Sequence, residues 1–392
     1  MIFLLLIFLS CELFSKEIEL NLGYRTTCFF KDNECQNSYL YLHPSYQYQK
    51  ITHQKIIKHS IDFKVLDPIS DNEETFIDPQ DVSFEVSSNY DTFQIGFVRY
   101  RFSETFGIQL LDIANPRDYS EFIFNELSWS KRSVFGVNHT HQFEDTDFEI
   151  QSILTLWPNG DRFPTRHNLF NPLPQSVVSF QGGIINRPWF KDLEYGVRLK
   201  KLFSNGLDLS LIYFHHFPRP SSLQLFTKPE ISNSIQTQFY NKQVSSLGSA
   251  GSYIINDWVL RGDFLLTFKE PVTSLDVSNQ KQVTKNHSQV LIGIDRTDDN
   301  FLYGLQTQHD FLLHRNFGGW RVEMTKFEWW KPSLFCFGDY FEKQEWIQVK
   351  NQFIVNALKL NLSMDFFNSS QQGIFSPYKN LDRLLFDISY HY

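Results

Sequence analysis

The stretch from Asp112 to Asp118 holds the most distinctive group of polar residues in this chain. It contains Asn115-Pro116-Arg117-Asp118, and an Asn-Pro pair marks a turn because proline fixes its own φ and restricts the residue before it. Arg117 and Asp118 can pair and tie a loop to a supporting wall. Two interpretations follow: Asp112, Asn115, Arg117 and Asp118 form a charged constriction that tunes solute passage, or they are a structural loop anchor.

Charged side chains also recur inside segments that otherwise alternate between apolar and polar residues. A charge between apolar neighbours is costly on a face that meets lipid and cheap on a face that meets a wet lumen. The residues predicted to line such a lumen are Arg198, Lys200, Arg261, Asp263, Asp295, Arg296 and Gln306. A mixed field of this kind would suit an anionic solute, and the alternative is a ladder of salt bridges that fills a closed lumen.

The histidines give no pattern for metal binding. His139 and His141 share one strand face and His215 and His216 are adjacent, whereas metal sites need three or four converging ligands. The chain has no nucleophile elbow, phosphate-binding loop or dinucleotide fingerprint. These observations predict no metal, no cofactor and no enzyme. The alternative to a protein without catalytic activity is an outer-membrane lipid-modifying enzyme. It would need a Ser and a His within hydrogen-bond reach on the surface that faces lipid.

The elements that carry these residues are predicted to be β-strands, and the last one is the clearest. Leu384, Phe386, Ile388, Tyr390 and Tyr392 fall on one face of an alternating segment, and polar residues fall on the other. The segment stops on an aromatic residue. A C-terminal amphipathic strand of this kind resembles the signal that the barrel-assembly machinery recognises, so Phe386, Ile388, Tyr390 and Tyr392 are predicted to form a membrane-assembly signal.

Similar alternation recurs along the whole chain. Short turns alternate with longer gaps, as in barrels with short periplasmic turns and long outer loops. The short turns fall near 143–145, 204–206 and 298–300, and the longer gaps near 103–128, 158–191, 218–234 and 270–286. The pattern predicts an all-β, porin-like antiparallel transmembrane β-barrel of about sixteen strands, within fourteen to eighteen, as one domain over residues 16–392.

Composition agrees with this fold. Aromatic residues make up 17% of the 392 residues, yet charged residues still make up 20%. This mixture suits a lipid-facing skin with aromatic girdles around a polar lumen; the alternative is a soluble all-β protein with an aromatic core. The formal net charge of −8 and the lack of a Lys/Arg run argue against a nucleic-acid partner.

The N-terminus predicts export. The apolar run from Ile2 to Leu9 has the length of a signal-peptide core and is too short for a membrane-spanning helix. We therefore expect a signal peptide over residues 1–15. Cys28 and Cys35 flank what looks like a hairpin tip, and a disulfide between them is possible in an oxidising compartment; two free or buried thiols are the alternative.

The stretch from Gly96 to Phe170 resembles an uncharacterised family of proteobacterial outer-membrane proteins, classed as a domain of unknown function. The shared features are a segment like Leu111–Asp118 and a strand that ends in Trp157-Pro158 and is followed by Arg162, Pro164 and Phe170. Where the family often carries Arg-Gln after the glycine, this chain has Phe97-Val98. The resemblance implies a barrel with a transport role and supplies neither a substrate nor catalytic residues.

Together these features predict a Gram-negative outer-membrane channel that lets a small, possibly anionic, solute pass through the lumen. Its expected partners are outer-membrane lipid, the barrel-assembly machinery and the solute. The alternatives are the lipid-modifying enzyme and a structural or adhesive barrel with a plugged lumen.

Overall fold

The computed structural model describes residues 17–30, 34–52, 55–69, 75–105, 107–120, 130–144, 146–157, 160–162, 177–180, 193–219, 223–227, 235–239, 243–272, 283–339, 341–369, 376–379 and 381–391. The predicted signal peptide over residues 1–15 and the terminal Tyr392 lie outside these ranges. No helix within these ranges is long and apolar enough to cross a membrane.

Eighteen antiparallel strands form one closed sheet. The barrel strands are β1 (Glu17–Phe29), β2 (Glu34–Thr52), β3 (Lys55–Pro68), β4 (Phe76–Ser87), β5 (Asp91–Val98), β6 (Val134–Gln142), β7 (Phe148–Trp157), β9 (Glu194–Leu202), β10 (Leu207–His216), β13 (Val244–Ile255), β14 (Trp258–Val272), β15 (Val283–Thr297), β16 (Phe301–Asp310), β17 (Arg315–Met324), β18 (Trp330–Asp339), β19 (Gln344–Val355), β20 (Leu358–Asn368) and β21 (Arg383–His391). A separate small sheet contains β8 (Val177–Phe180), β11 (Leu223–Thr227) and β12 (Ile235–Phe239).

Each barrel strand pairs with the next barrel strand along the chain, and β21 pairs with β1 to close the ring. Closure leaves no free sheet edge, as a barrel in lipid requires. The prediction of an antiparallel transmembrane barrel is confirmed, and its predicted size of about sixteen strands lies near the observed eighteen. Two strands of the small sheet, β8 and β11, fall in the predicted long gaps, and β12 begins directly after the gap predicted at 218–234.

The two ends of the barrel differ in the length of their connections. One end carries the tight turns after β4, β6, β9, β13, β15 and β19, together with the start of β1 and the end of β21. The other end carries the long connections after β5, β7, β10 and β14. The hairpin between β1 and β2 is at this second end, and it holds a disulfide between Cys28 and Cys35.

Side chains alternate between the two faces of the wall. In β10, Leu209, Leu211 and Tyr213 are exposed on the outside, whereas Ser210 and Ile212 are buried inside. In β21, the last strand, Leu384, Phe386, Ile388 and Tyr390 share the outer face, opposite the buried Arg383, Leu385, Asp387 and Ser389. The outer surface is therefore apolar and the inner surface is largely polar, as for a barrel in the outer membrane.

The described residues of the connection between β5 and β6 are 99–105, 107–120 and 130–133. They fold into the barrel, and we call them the lumen segment. Its apolar residues belong to one buried cluster with inner-wall residues from seven strands. Those segment residues are Tyr100, Phe102, Leu110, Leu111, Ile113 and Ala114, and the wall residues include Ile153, Ile212, Ala250, Leu265 and Leu291. This packing places the chain's most distinctive polar motif inside the barrel.

The alternation of faces predicts a depth-dependent cost for a charge on the outer wall. Leu211 is 61% exposed at the middle of β10. Leu211→Arg should lower the free energy of unfolding by about 2–4 kcal/mol, because the guanidinium would face hydrocarbon near the midplane. Leu207→Arg, on the same face beside the turn, should cost about 0–1 kcal/mol. Urea unfolding in lipid vesicles measures both, and equal costs would contradict the assigned depth.

Candidate functional site

The lumen segment is held to the barrel wall at residues 103–105. Asp263 on β14 points inward and accepts hydrogen bonds from the Ser103 and Thr105 hydroxyls and from the Glu104 backbone N–H at 3.4 Å. Asp263 is only 2% exposed, so these three donors replace the water that a carboxylate would otherwise need. Alternation along β14 predicted that Asp263 faces the lumen, and in the structure this residue holds residues 103–105 of the lumen segment.

Asp112 and Asn115 fold the lumen segment back on itself. One Asp112 oxygen accepts from the backbone N–H of Phe102 at 2.8 Å and of Ser103 at 3.3 Å, and the other pairs with Lys131. The Asn115 amide bonds to both the N–H and the carbonyl of Tyr100. Burial lowers the pKa of the Lys131 ammonium, and the Asp112 carboxylate opposes that shift. The two ends of the segment are thereby fixed together.

Arg117 and Asp118 do not pair with each other, which corrects the prediction. Asp118 accepts instead from Arg162 at 3.1 Å, and the Arg117 guanidinium donates to the Gln109 carbonyl at 3.1 Å. Residues 117 and 118 each form a β-bridge with a different partner, and neighbouring residues on an extended chain point to opposite sides, so they rarely meet. Burial alone would raise the pKa of Asp118, but Arg162 and Lys64 outweigh it and hold the pKa below its usual range.

A buried ion pair outside the lumen segment, between Glu194 and Arg219, holds the segment at Ala114. Glu194, the first residue of β9, receives two hydrogen bonds from Arg219 at 2.7 and 2.9 Å, and a third from the Phe217 N–H at 2.9 Å. The second Arg219 nitrogen donates to the Ala114 carbonyl at 2.7 Å. Because both charged groups are buried, each needs the other, and together they hold the segment at Ala114.

Two glycines let the lumen segment approach the wall closely. A Cβ on Gly248 of β13 would lie 2.4 Å from Leu111, so the inner wall is hollow where that leucine packs. Gly107 has a φ of +67°, and a Cβ there would lie 2.7 Å from the amide nitrogen of Gln306. Gln306 itself is 1% exposed on the inner face of β16. It therefore faces the lumen as predicted by alternation, but the segment covers it.

Glu104 brings the charges of wall and segment together. Its carboxylate lies 3.6 Å from Arg198 on β9 and 3.8 Å from Arg261 on β14. Arg261 also donates to Asp295 on β15 at 2.7 Å. Arg198, Arg261 and Asp295, predicted from separate strands, thus meet on one side of the lumen. This group narrows the space between segment and wall and gives it a mixed charge.

Two predicted residues do not belong to this group. Lys200 is on the inner face of β9 but pairs with Asp208 at 2.7 Å, nearer the short turn. Arg296 is on the outer face, where its guanidinium lies 5.3 Å from the centre of the Trp258 ring. The prediction that Arg296 lines the lumen is wrong, because its neighbour Asp295 points inward and successive strand residues point to opposite faces.

Several residues that hold the site were missed by the sequence reasoning. Glu104, Lys131, Arg162, Glu194 and Arg219 were not among the predicted site residues, although all make ion pairs here. A signal existed for Arg219, because Pro218-Arg219-Pro220 places a charge directly after a strong strand. The partners come from distant connections, so no local pattern joins them. Among the described residues, no three His, Cys, Asp or Glu side chains are arranged to hold a metal ion.

Comparison with known proteins places the fold among outer-membrane porins. No family model matches the sequence, and no curated protein matches it. OccK9 (OpdG) of Pseudomonas aeruginosa is similar with a TM-score of 0.57 at 7% identity, covering 96% of this chain and 97% of that one. OccAB2 of Acinetobacter baumannii gives 0.55 at 8% identity, covering 96% and 98%. A loop-deletion mutant of OmpT, an outer-membrane protein of Vibrio cholerae, gives 0.46 at 8%, covering 96% and 99%.

The prediction that the chain is not an enzyme is wrong as an exclusion. The similar structures are only 7% and 8% identical to this chain, and likenesses at this level of identity show the fold alone. A fold hosts many functions, and catalysis is decided by the side chains placed on it. The chain is therefore an outer-membrane barrel of porin-like fold whose chemistry must be argued from its own residues.

The Glu194–Arg219 pair gives a prediction about stability. Arg219→Met should lower the free energy of unfolding by about 3–5 kcal/mol, because it leaves the Glu194 carboxylate buried without its partner. The double variant with Glu194→Gln should recover much of that loss. Urea unfolding of vesicle-embedded protein, followed by tryptophan fluorescence, measures both. A single variant as stable as the wild type would show that the pair does not hold the segment.

Proposed function

We propose that this protein is a porin-like channel that lets small solutes cross the outer membrane through the lumen beside the lumen segment. The observation that carries the proposal is the contact of Glu104 with Arg198 and Arg261. It places fixed charges of both signs where the lumen segment meets the polar inner wall. Fixed charges at a narrow point set which solutes pass.

Burial of the acids favours an anionic solute. Asp112, Asp118 and Asp263 are each no more than 3% exposed and are held by partners within the segment or on the wall. The Arg261 side chain is 26% exposed beside an Asp295 side chain that is 10% exposed. The most exposed acid at this point is Glu104, at 24%, and two basic groups, Arg198 and Arg261, flank it. This excess of basic groups beside the one accessible acid would attract a solute that carries a carboxylate or phosphate.

A closed barrel is the second candidate, and one contact favours it. Ile108 of the lumen segment packs against both buried clusters, one around Leu111 and one that contains Phe337, Trp346 and Phe367. The segment thus reaches two sides of the inner wall. A lumen plugged by this crossing would leave the long connections as the working surface, in a structural or adhesive role.

We also propose how this barrel is recognised during assembly and which family it belongs to. The outer face of β21, with Phe386, Ile388 and Tyr390, supports recognition by the barrel-assembly machinery. The Leu111–Asp118 segment, which builds the centre of the site, supports membership of the uncharacterised proteobacterial outer-membrane family. Both remain proposals about how this barrel reaches the membrane and which proteins share its plan.

Conductance across a planar bilayer tests the channel. Glu104→Gln should raise the anion-to-cation permeability ratio, and Arg261→Gln should lower it, because each removes one charge of opposite sign. The shift should be roughly two- to fivefold, since a partly exposed charge contributes on the order of 0.5–1 kcal/mol. Lys201→Gln, on the outer face, is the control and should leave the ratio unchanged. Correctly folded wild type without discrete conductance steps would overturn the proposal in favour of the plugged barrel.

Solute preference is a separate prediction. Liposomes that contain the wild type should swell faster in a small dicarboxylate than in a diamine of equal size, because exposed Arg261 attracts the former and repels the latter. Glu104→Gln should widen the difference. Equal rates for both solutes, from a protein that does conduct, would leave the channel in place and remove its anion preference.

A further inference from the structure

The outer wall carries a Ser–His pair that has no role in the lumen. His215 of β10 and Ser245 of β13 are cross-strand partners. They share the outer face with Tyr213 and Leu247, which are 37% and 44% exposed. The His215 Nδ1 lies 3.0 Å from the Ser245 Oγ. A serine and a histidine within hydrogen-bond reach are therefore displayed toward lipid.

Aromatic residues fix the geometry of this pair. The Tyr195 ring lies 5.2 Å from the His215 ring at an interplanar angle of 35°. The Tyr213 hydroxyl lies 3.3 Å from the Ser245 Oγ. With the ring proton on Nε2, the His215 Nδ1 accepts from the Ser245 hydroxyl, which is how a general base activates a serine nucleophile. Tyr213 then stands where a phenol O–H can donate to an oxyanion formed on the serine-bound carbon.

The pair lies near the end of the wall that carries the long connections. His215 and Ser245 are each one residue from the strand ends that lead into the long connection between β10 and β13. Tyrosines at this level belong to the aromatic girdle, where polar and apolar parts of lipids meet. The site is therefore within reach of water from the loops and of acyl chains from the membrane.

A groove lies farther along the same wall, and its nearest lining residue on β13 is Ser249, four residues from Ser245. It has a volume of about 680 Å³ and is lined on its outer side by Leu209, Leu211, Ser249, Gly251, Gly262 and Phe264. Gly251 is six residues along β13 from Ser245, which is about 20 Å at the rise of a strand. An extended acyl chain whose ester carbonyl lies beside Ser245 would reach this groove with its far end.

We propose that Ser245, His215 and Tyr213 form a site that cleaves an acyl ester of a membrane lipid. The Ser245 Oγ bonds to the ester carbonyl carbon as its proton passes to His215 Nδ1, and Tyr213 donates to the carbonyl oxygen. The carbon–oxygen bond to the lipid alcohol breaks, and His215 returns the proton to that alcohol. Water then attacks the acyl-serine in the same way, which releases a fatty acid and restores the serine.

The adjacent residues provide a matched control. His216 Nε2 lies 2.9 Å from the Ser246 Oγ, and its Nδ1 lies 2.6 Å from the Phe217 carbonyl. This inner pair has the same chemistry on the same two strands, but His216 and Ser246 are only 2% and 1% exposed on the inner face. Lipid can reach Ser245 and cannot reach Ser246. Any lipid chemistry should therefore depend on the outer pair alone.

The test uses the full refolded barrel in vesicles, with a fluorophosphonate probe and a fluorogenic diacylglycerophospholipid. Ser245 should be labelled, as shown by peptide mass spectrometry, and Ser246 should not. Ser245→Ala should abolish both labelling and hydrolysis. His215→Ala should lower the hydrolysis rate by roughly 10²–10⁴. Tyr213→Phe should lower kcat by roughly 10²–10³, and Ser246→Ala should leave the rate unchanged. A parallel arm with purified lipid A identifies which lipid supplies the ester.

Three results would overturn the proposal. Folded wild type that neither reacts with the probe nor releases fatty acid from either lipid would overturn the proposal. So would hydrolysis that survives Ser245→Ala, or lipid binding without turnover. Heat-modifiable electrophoretic mobility confirms that each variant is folded. Conductance is measured on the same preparations, and because it depends on the lumen, its outcome is independent of this site.

Discussion

The need to satisfy every backbone hydrogen bond in hydrocarbon governs this molecule. A strand in lipid has no water for its N–H and C=O groups, so each strand must pair on both sides. The pairing of β21 with β1 meets that need and closes the ring. Closure creates an inside and an outside, and alternation along each strand then assigns each side chain to one of them.

The lumen segment depends on this closed wall. Its apolar residues need a surface to cover, and the hollow at Gly248 with the inner faces of β10, β13, β14 and β15 supplies one. Its polar groups need partners: Asp112 pairs with Lys131, Asp263 accepts from the hydroxyls of residues 103 and 105, and Arg219 donates to the Ala114 carbonyl. Ion pairs this buried are poor sources of stability because desolvation opposes attraction. Their effect is to specify one path for a chain that could otherwise cross the lumen in many ways.

One strand pair shows how the wall separates two kinds of chemistry. On β10 and β13, His215 and Ser245 meet on the lipid side, whereas His216 and Ser246 meet on the lumen side. The residues differ by a single position and the hydrogen bonds are alike in length. The ring nitrogen that meets the serine differs, Nδ1 in His215 and Nε2 in His216, and so does access: the first pair faces acyl chains and the second is buried inside the barrel. The same wall can therefore support passage of a solute within and chemistry on lipid outside.

The sequence by itself determined the features that depend on alternating side chains and on turn residues. A period of two predicts the barrel class, the outer face of β21 and the inward direction of four charged residues: Arg198, Arg261, Asp263 and Asp295. Turn residues predict the tight turns. The tertiary structure decided which of these residues meet. Glu104 reaches Arg198 and Arg261 only because the lumen segment turns inward, and Arg219 reaches Glu194 from a separate connection. Arg296 faces outward because its neighbour Asp295 faces inward. Asp118 pairs with Arg162 and not with the adjacent Arg117. Local pattern fixes the direction of a side chain, but its partner is fixed by the closure of the ring and the path of the chain within it.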